Sequence, residues 1–330
     1  MPRFVAFGEL MLRLCPPGAL RLTQTTTLEV AFGGAEANVA VALAGLGESA
    51  SFVTRLPENS LSTLARNTLR GLGVDTGGIV PGGDRMGVYF IEPGAGNRPA
   101  VVTYDRARSA IAEADPTAFD WDALLKGAES LHLTGITPAL SASCRRATLE
   151  AATVARSRGV FVSVDINYRS KLWSPSEAAS AMEELLPLTD FCFASQGDLG
   201  QLFGITDEDY QAAAQKLTAR FPNLKGVAAT LREPFVGSLA ALRAGLLWQG
   251  TYAESPRYEF AVVDRIGAGD AFAAGVLLKL LDKATAQEAI TFGAALGALK
   301  HSIVADFCHL TRAEVEEFLK SGDQTGRVQR

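Results

Sequence analysis

Two signatures of nucleotide-binding proteins are missing from this chain. No G-x-x-x-x-G-K-[ST] stretch occurs, which excludes a P-loop site. No G-x-G-x-x-G follows the first apolar run (residues 3–8, RFVAFG), which argues against a dinucleotide-dependent dehydrogenase. Cysteine is scarce: Cys15, Cys144, Cys192 and Cys308 are scattered without a C-x-x-C pair and read as small buried hydrophobes in a reducing compartment. His132, His301 and His309 form no ligand spacing with one another or with cysteine, and the adjacent Cys308-His309 lacks a second donor pair, so no protein-held zinc is expected. No apolar run is long enough to span a bilayer, and MPRFVAFGE reaches an acidic residue before a signal-peptide core could form. The expected location is the cytoplasm. With a net charge of −5 and no block of like charge, nothing points to nucleic acid or to a partner-binding tail.

What is present is a strand–helix alternation over 330 residues, ample for a full core. The strand RFVAFG, the helix AEANVAVALAGLG closed by Gly47, the strand SFVTRL and the helix SLSTLARNTLRGLG open the series. It resumes with SLHLTG, a helix over 143–158, VFVSVDIN, a helix over 176–186, DFCFAS, two further helices and GVAATL. Helices over 286–300 and 312–320 and a polar, mobile end finish the chain. Such alternation predicts an α/β fold, a mainly parallel sheet with helices on both faces. Two stretches break it. Residues 11–14 with 28–32, and 88–91 with 101–104 around a Pro/Gly/Asn turn, read as antiparallel pairs. Together they predict a small projecting β-sheet. Without linker or repeat, the expectation is one domain over 1–330, with a lid from segments within about 10–33 and 86–105.

The stretch DRIGAGDAFAAGVLLKLL organises the rest. Residues 258–263 read as extended, 264–269 as a tight turn and 271–281 as an apolar helix. Gly267 and Gly269 free the backbone for the turn, and a helix start offers unpaired N–H groups that suit an anion. Asp270 beside it is placed either to cap the helix or to accept a proton from an attacking hydroxyl. A second glycine turn lies far upstream. Gly33-Gly34 leads into a helix in which Asn38 can offer its amide to a hydroxyl, the alternative being helix entry with tight packing.

These two turns resemble the G-A-G-D and G-G-x-x-x-N-x-A signatures of the ribokinase-like (PfkB) carbohydrate kinase family. GELMLRL near the start, YDRARSA (residues 104–110), DINYRSKLW (165–173), VAATLRE (227–233) and the ending KHSI...D...GRVQR are similar to segments of 2-keto-3-deoxygluconate kinases. The resemblance covers essentially the whole chain. It implies that Gly33, Gly34, Asn38, Tyr89, Tyr104, Arg106 and Arg169 hold a sugar acid, with Asp270 as base and Gly267, Ala268 and Gly269 at the moving phosphate. Ser195, Thr230, Gly267, Ala268, Gly269 and Gly297 would lie near ATP. Mg2+ would bridge the phosphates largely through water, and Asp264 would either help hold a monovalent cation or stabilise the turn. Two departures stand out: the family's N-x-x-E reads Ser195-Gln196-Gly197-Asp198, and Leu231-Arg232-Glu233 replaces a common glycine turn. The metal contacts therefore stay unassigned.

The arginines carry an argument of their own. A carboxylate takes two parallel hydrogen bonds from a guanidinium, whereas a neutral sugar gives it nothing comparable. Arg106 follows a lid strand and Arg169 a core strand, where loops gather at the C-terminal edge of a parallel sheet; Arg108 reads as a solvated charge. Tyr89 and Tyr104 suit either the site or the lid's own packing. The resulting expectation is transfer of the ATP γ-phosphate to the primary hydroxyl of 2-keto-3-deoxygluconate. A neutral-sugar kinase of the fructokinase or ribokinase type and a non-catalytic sugar- or partner-binding relative are the alternatives. Lids meeting face to face would give a homodimer or larger homo-oligomer.

Overall fold

The computed structural model describes residues 3–232 and 239–321. Glu233, the polar end and the GRVQR motif lie outside the described residues. Strands β1 (Phe4–Phe7), β2 (Met11–Cys15) and β3 (Glu29–Gly33) precede helix α1 (Ala35–Gly45). β4 (Ala50–Leu56), α2 (Ser60–Gly71) and β5 (Ile79–Pro81) lead to β6 (Gly87–Glu92) and β7 (Val101–Asp105). α3 (Trp121–Leu124), β8 (Ser130–Thr134), α4 (Ile136–Leu140), α5 (Ala142–Ser157), β9 (Phe161–Asp165) and α6 (Pro175–Leu185) continue the alternation. β10 (Phe191–Phe193), α7 (Gln196–Phe203), α8 (Tyr210–Arg220) and β11 (Gly226–Arg232) follow. The chain then runs through β12 (Leu239–Trp248), β13 (Thr251–Glu254) and β14 (Tyr258–Ala261) into α9 (Ala268–Leu281), α10 (Ala286–Lys300) and α11 (Arg312–Ser321).

The main sheet has ten strands in the order β13-β12-β11-β10-β9-β8-β1-β4-β5, with β14 also paired to β12. Pairing is parallel from β5 through β11 and antiparallel where β12 meets β11, β13 and β14. Both faces are buried, and alternate residues of one strand serve the two cores. Phe4 and Ala6 of β1 pack with α1, α9 and α10, while Val5 and Phe7 pack with α3, α5 and α6. That is why these strands read as continuous apolar runs. Helix starts are fixed locally. Ser174 with Glu177, and Thr285 with Glu288, form reciprocal capping boxes, and Pro175 follows the first cap. Among the described residues no helix is long and apolar enough to cross a membrane.

The second sheet has four strands, ordered β3-β2-β6-β7. Its outer pairs are antiparallel as expected, but the central β2–β6 pair is parallel. The physical reason is the route of the chain. β2 follows β1 and β6 follows β5, and both of these run in the same direction in the main sheet, so both strands of the small sheet leave the same edge heading outward. A second correction concerns α9. It begins at Ala268, with Gly267 as its cap, so Ala268, Gly269 and Asp270 belong to the first helical turn.

Candidate active site

The C-terminal ends of β8 to β11, the start of α9 and the inner side of the small sheet enclose a cleft of about 1530 Å³. Open parallel sheets place ligand sites at this edge, where strand ends release their loops together.

Gly267 has a left-handed backbone, φ 81°, and a Cβ there would collide with the main-chain carbonyl of Asp306. Only glycine therefore fits both the turn and its neighbour. The helix it opens starts in the cleft wall, with Gly267, Gly269 and Asp270 lining it and the Ala268 N–H donating to the Arg265 carbonyl at 3.4 Å; a Cβ at Gly269 would meet nothing within 4 Å. Asp270 faces the cleft from this first turn, and Asn38 Nδ2 donates to its Oδ2 at 2.6 Å. Asn38 Oδ1 in turn accepts from the Gly34 N–H at 3.3 Å. Gly34 is needed for close approach, since a Cβ there would run into the carbonyl of Glu9. The two glycine turns, 232 residues apart at Asn38 and Asp270, thus meet at one carboxylate. Burial pushes the Asp270 carboxyl up to about 6, and the Asn38 amide opposes it. A carboxylate poised there can accept a proton near neutral pH.

The small sheet supplies the opposite wall. Tyr104, 42% exposed, and Tyr89, 3% exposed, both line the cleft, and the Tyr89 hydroxyl donates to Asp306 Oδ1. Their rings face across β6 and β7 with centroids 5.9 Å apart. Arg106 also lines the cleft, but its fork is engaged: Nε donates to Glu9 Oε2 at 2.8 Å and Nη2 to the same oxygen. Ser109 donates to the other Glu9 oxygen at 2.5 Å. Arg169 is exposed in the cleft, and its charge acts on both Asp165 and Asp270. Its position follows from Asn167, whose left-handed φ of 43° turns the chain out of β9 while Asp165 accepts from its N–H at 3.0 Å. Arg108 is exposed, as its reading as a solvated charge requires.

On the far side, Ser195 and Thr230 line the cleft together with Gly267 and Gly269. Three residues expected at the ligand stand behind this surface instead. Ala268 is buried; Gly297 packs so closely that a Cβ would come 3.3 Å from the Ala268 carbonyl; and Gly33 lies against the Asp306 side chain. They shape the walls through packing, because helix α10 must approach α9 closely. The departing Ser195-to-Asp198 stretch is the capping box of α7, with Ser195 Oγ donating to Asp198 at 2.5 Å. Asp165, in the DINYRSKLW segment but assigned no role from it, also lines the cleft. Burial, with the negative charges of Asp198 and Asp270, raises its carboxyl to about 8. Its signal was the D-x-N at a strand end. Asp264, which carried two readings, takes part in the turn: it accepts from the Ile266 N–H at 3.0 Å and pairs with Arg13 at 2.6 Å.

The profile of the pfkB family carbohydrate kinases matches residues 1–302. A 2-dehydro-3-deoxygalactonokinase of Haloferax volcanii is 39% identical over 319 residues, 97% of this chain and 97% of its own. A crystal structure of 2-dehydro-3-deoxygluconokinase from Thermotoga maritima superposes with a TM-score of 0.94 at 41% identity, over 97% of this chain and 100% of the other. A candidate ribokinase II from E. coli, solved with ATP and Mg2+, shares the fold with a TM-score of 0.82 at 20% identity, over 97% of this chain and 99% of that one. With its mainly parallel sheet, helices on both faces and separate four-stranded sheet, the chain belongs to the pfkB family of carbohydrate kinases and has the ribokinase-like α/β fold.

Proposed function

We propose that the protein transfers the γ-phosphoryl group of ATP to the primary hydroxyl of 2-keto-3-deoxygluconate (the 2-dehydro-3-deoxy acid), giving 2-keto-3-deoxy-6-phosphogluconate. The observation that carries this reading is the Asn38–Asp270 contact on the wall of a cleft that also holds Arg106 and Arg169. The substrate hydroxyl oxygen forms the new bond to γ-phosphorus while the bond to the β–γ bridging oxygen breaks. Its proton passes to Asp270, and ADP leaves. The N–H groups of Gly267 and Gly269 stabilise charge on the moving phosphate, with Ala268 packed behind them. Gly34, Asn38, Tyr89, Tyr104 and Arg169 orient the sugar, with Gly33 behind them. Arg106 reaches the substrate carboxylate as a fork already steadied by Glu9. Ser195 and Thr230 flank ATP, and Gly297 supports the wall there. Mg2+ neutralises phosphate charge when bound, and Asp165 and Asp198 are the carboxylates in the cleft suited to hold it through water.

We take residues 1–330 as one domain whose lid, within about 10–33 and 86–105, closes over the sugar and keeps water from the phosphate. The outer side of the lid exposes Val30 (55%) beside Leu14 and Phe90, an apolar surface suited to a second copy. Four buried free thiols fit a cytoplasmic enzyme. A specific observation favours a second substrate reading: the Haloferax relative is named for the galacto acid. The test is ADP release from Mg-ATP with the gluco acid, the galacto acid, fructose and ribose. One of the two acids should lead, and Arg169→Ala should raise its KM by about 10–100-fold, the worth of a charge-assisted hydrogen bond. Preference for fructose or ribose, or no turnover at all, would sink the assignment.

A further inference from the structure

Lys300, the last residue of α10, is completely buried, with 0% exposure. Its Nζ donates to three main-chain carbonyls: Ile266 at 2.8 Å, Ala305 at 2.7 Å and Ile303 at 3.1 Å. An ammonium has three donors and no acceptor, so three carbonyls satisfy it completely. Burying such a charge is expensive, and burial lowers its pKa here, with Asp264 and Asp306 acting the other way. Neither carboxylate is its direct hydrogen-bond partner among the bonds it makes. Asp264 and Asp306 both pair with Arg13, at 2.6 and 2.9 Å.

Where the three carbonyls come from is informative. Ile266 immediately precedes Gly267, and 303–305 immediately precede Asp306, whose carbonyl abuts Gly267. Ala305 has φ 68°, a left-handed backbone that costs a non-glycine residue about 1–2 kcal/mol, and its carbonyl accepts the shortest of the three bonds. Lys300 therefore ties together the two loops that shape the anion turn. A ring of carbonyl oxygens around one positive charge is also the donor set that hard cations take. The monovalent cation expected near Asp264 does not fit here. The carbonyls are filled by Lys300, and Asp264 already accepts from Arg13, Ile266 and Ala305.

We propose that Lys300 is a tethered cation, a positioning residue whose ammonium takes the place of a bound monovalent ion and holds the Gly267 turn in shape for the transferring phosphate. This rests on the reading that the turn receives that phosphate. ADP release is measured with the full chain, Tris-ATP, MgCl2 and the preferred sugar acid, in buffer whose only other cation is tetramethylammonium. Added K+, Na+ or NH4+ should leave the wild-type rate within the about twofold drift that ionic strength brings. Lys300→Ala should lose about 10–100-fold in kcat at unchanged sugar KM, the loss expected for a charged donor. K+ or methylammonium should restore a large part of it. Saturable activation of the wild type by K+ overturns the proposal, as does a folded Lys300→Ala that is fully active without added cation. A folded, impaired variant that no cation improves overturns it too, leaving only packing. If the variant does not fold, the wild-type titration decides alone. Asp270→Asn separates the two levels. Should it keep its turnover, the phosphate reading fails; should it lose turnover while K+ activates the wild type, only the tethered cation fails.

Discussion

Asp270 is held at the start of a helix, beside an amide donor and half-buried in the cleft wall, and these surroundings set its pH behaviour. Its carboxyl is raised to about 6, so the proton-accepting form prevails above that pH and is lost below it. With ATP and sugar held constant, kcat/KM should fall by about tenfold per pH unit below this point. Asp270→Asn should lower kcat by about 10²–10⁴-fold with an unchanged circular-dichroism spectrum. A variant that kept its rate, or a profile flat down to pH 5, would remove Asp270 from the base role. Asp270 and Asn38 were both legible in the sequence, because glycine before a helix leaves a recognisable spacing. Their contact was not, since nothing local relates residues so far apart. Arg106 shows the same limit. Its charge was evident, but the Glu9 that engages it comes from the end of another strand. Lys300 was invisible for a different reason: a lysine in the last turn of a helix ordinarily reads as a solvated partner of the dipole.

Helix α9 shows how one element divides its duties between neighbouring glycines. Gly267 is required by the fold, through its φ of 81° and the Asp306 carbonyl beside it. Gly269 is not, because the space around it is open. Gly267→Ala should therefore destabilise by more than the about 1–2 kcal/mol of backbone strain alone, lowering the thermal midpoint. Gly269→Ala should be neutral or stabilising by up to about 1 kcal/mol, as alanine is the better helix former, yet should raise the KM for ATP. Equal melting temperatures for the two variants would refute this division. Most elements were readable from the alternation of apolar runs and from the glycines that close helices, but the short β5, α3 and α4 were not. The start of α9 was misplaced by three residues, because a glycine-rich first turn carries no helical signature. The parallel β2–β6 pair could not be read either, for pairing direction depends on where two distant strands are launched.

At the scale of the molecule, the four-stranded sheet has two unlike faces. The inner one presents Tyr104 and Arg106 to the cleft, and the outer one presents Val30, Leu14 and Phe90. If two copies meet through that outer face, Val30→Glu should convert a dimer to a monomer in sedimentation, leaving the melting temperature within about 0.5 kcal/mol equivalent of the parent, as befits an exposed position. A wild type that sediments as a monomer at all concentrations would end the idea.

The bond between Asn38 and Asp270 has a bearing on how the protein is made. One partner leaves the ribosome early and the other late, after all the strands described between them. A chain interrupted anywhere before α9 can shape much of the sheet, yet it lacks the carboxylate and the turn that would receive phosphate. On the proposed mechanism, partial translation products would lack the phosphate-receiving turn, and enzymatic activity would report only on chains completed through that helix.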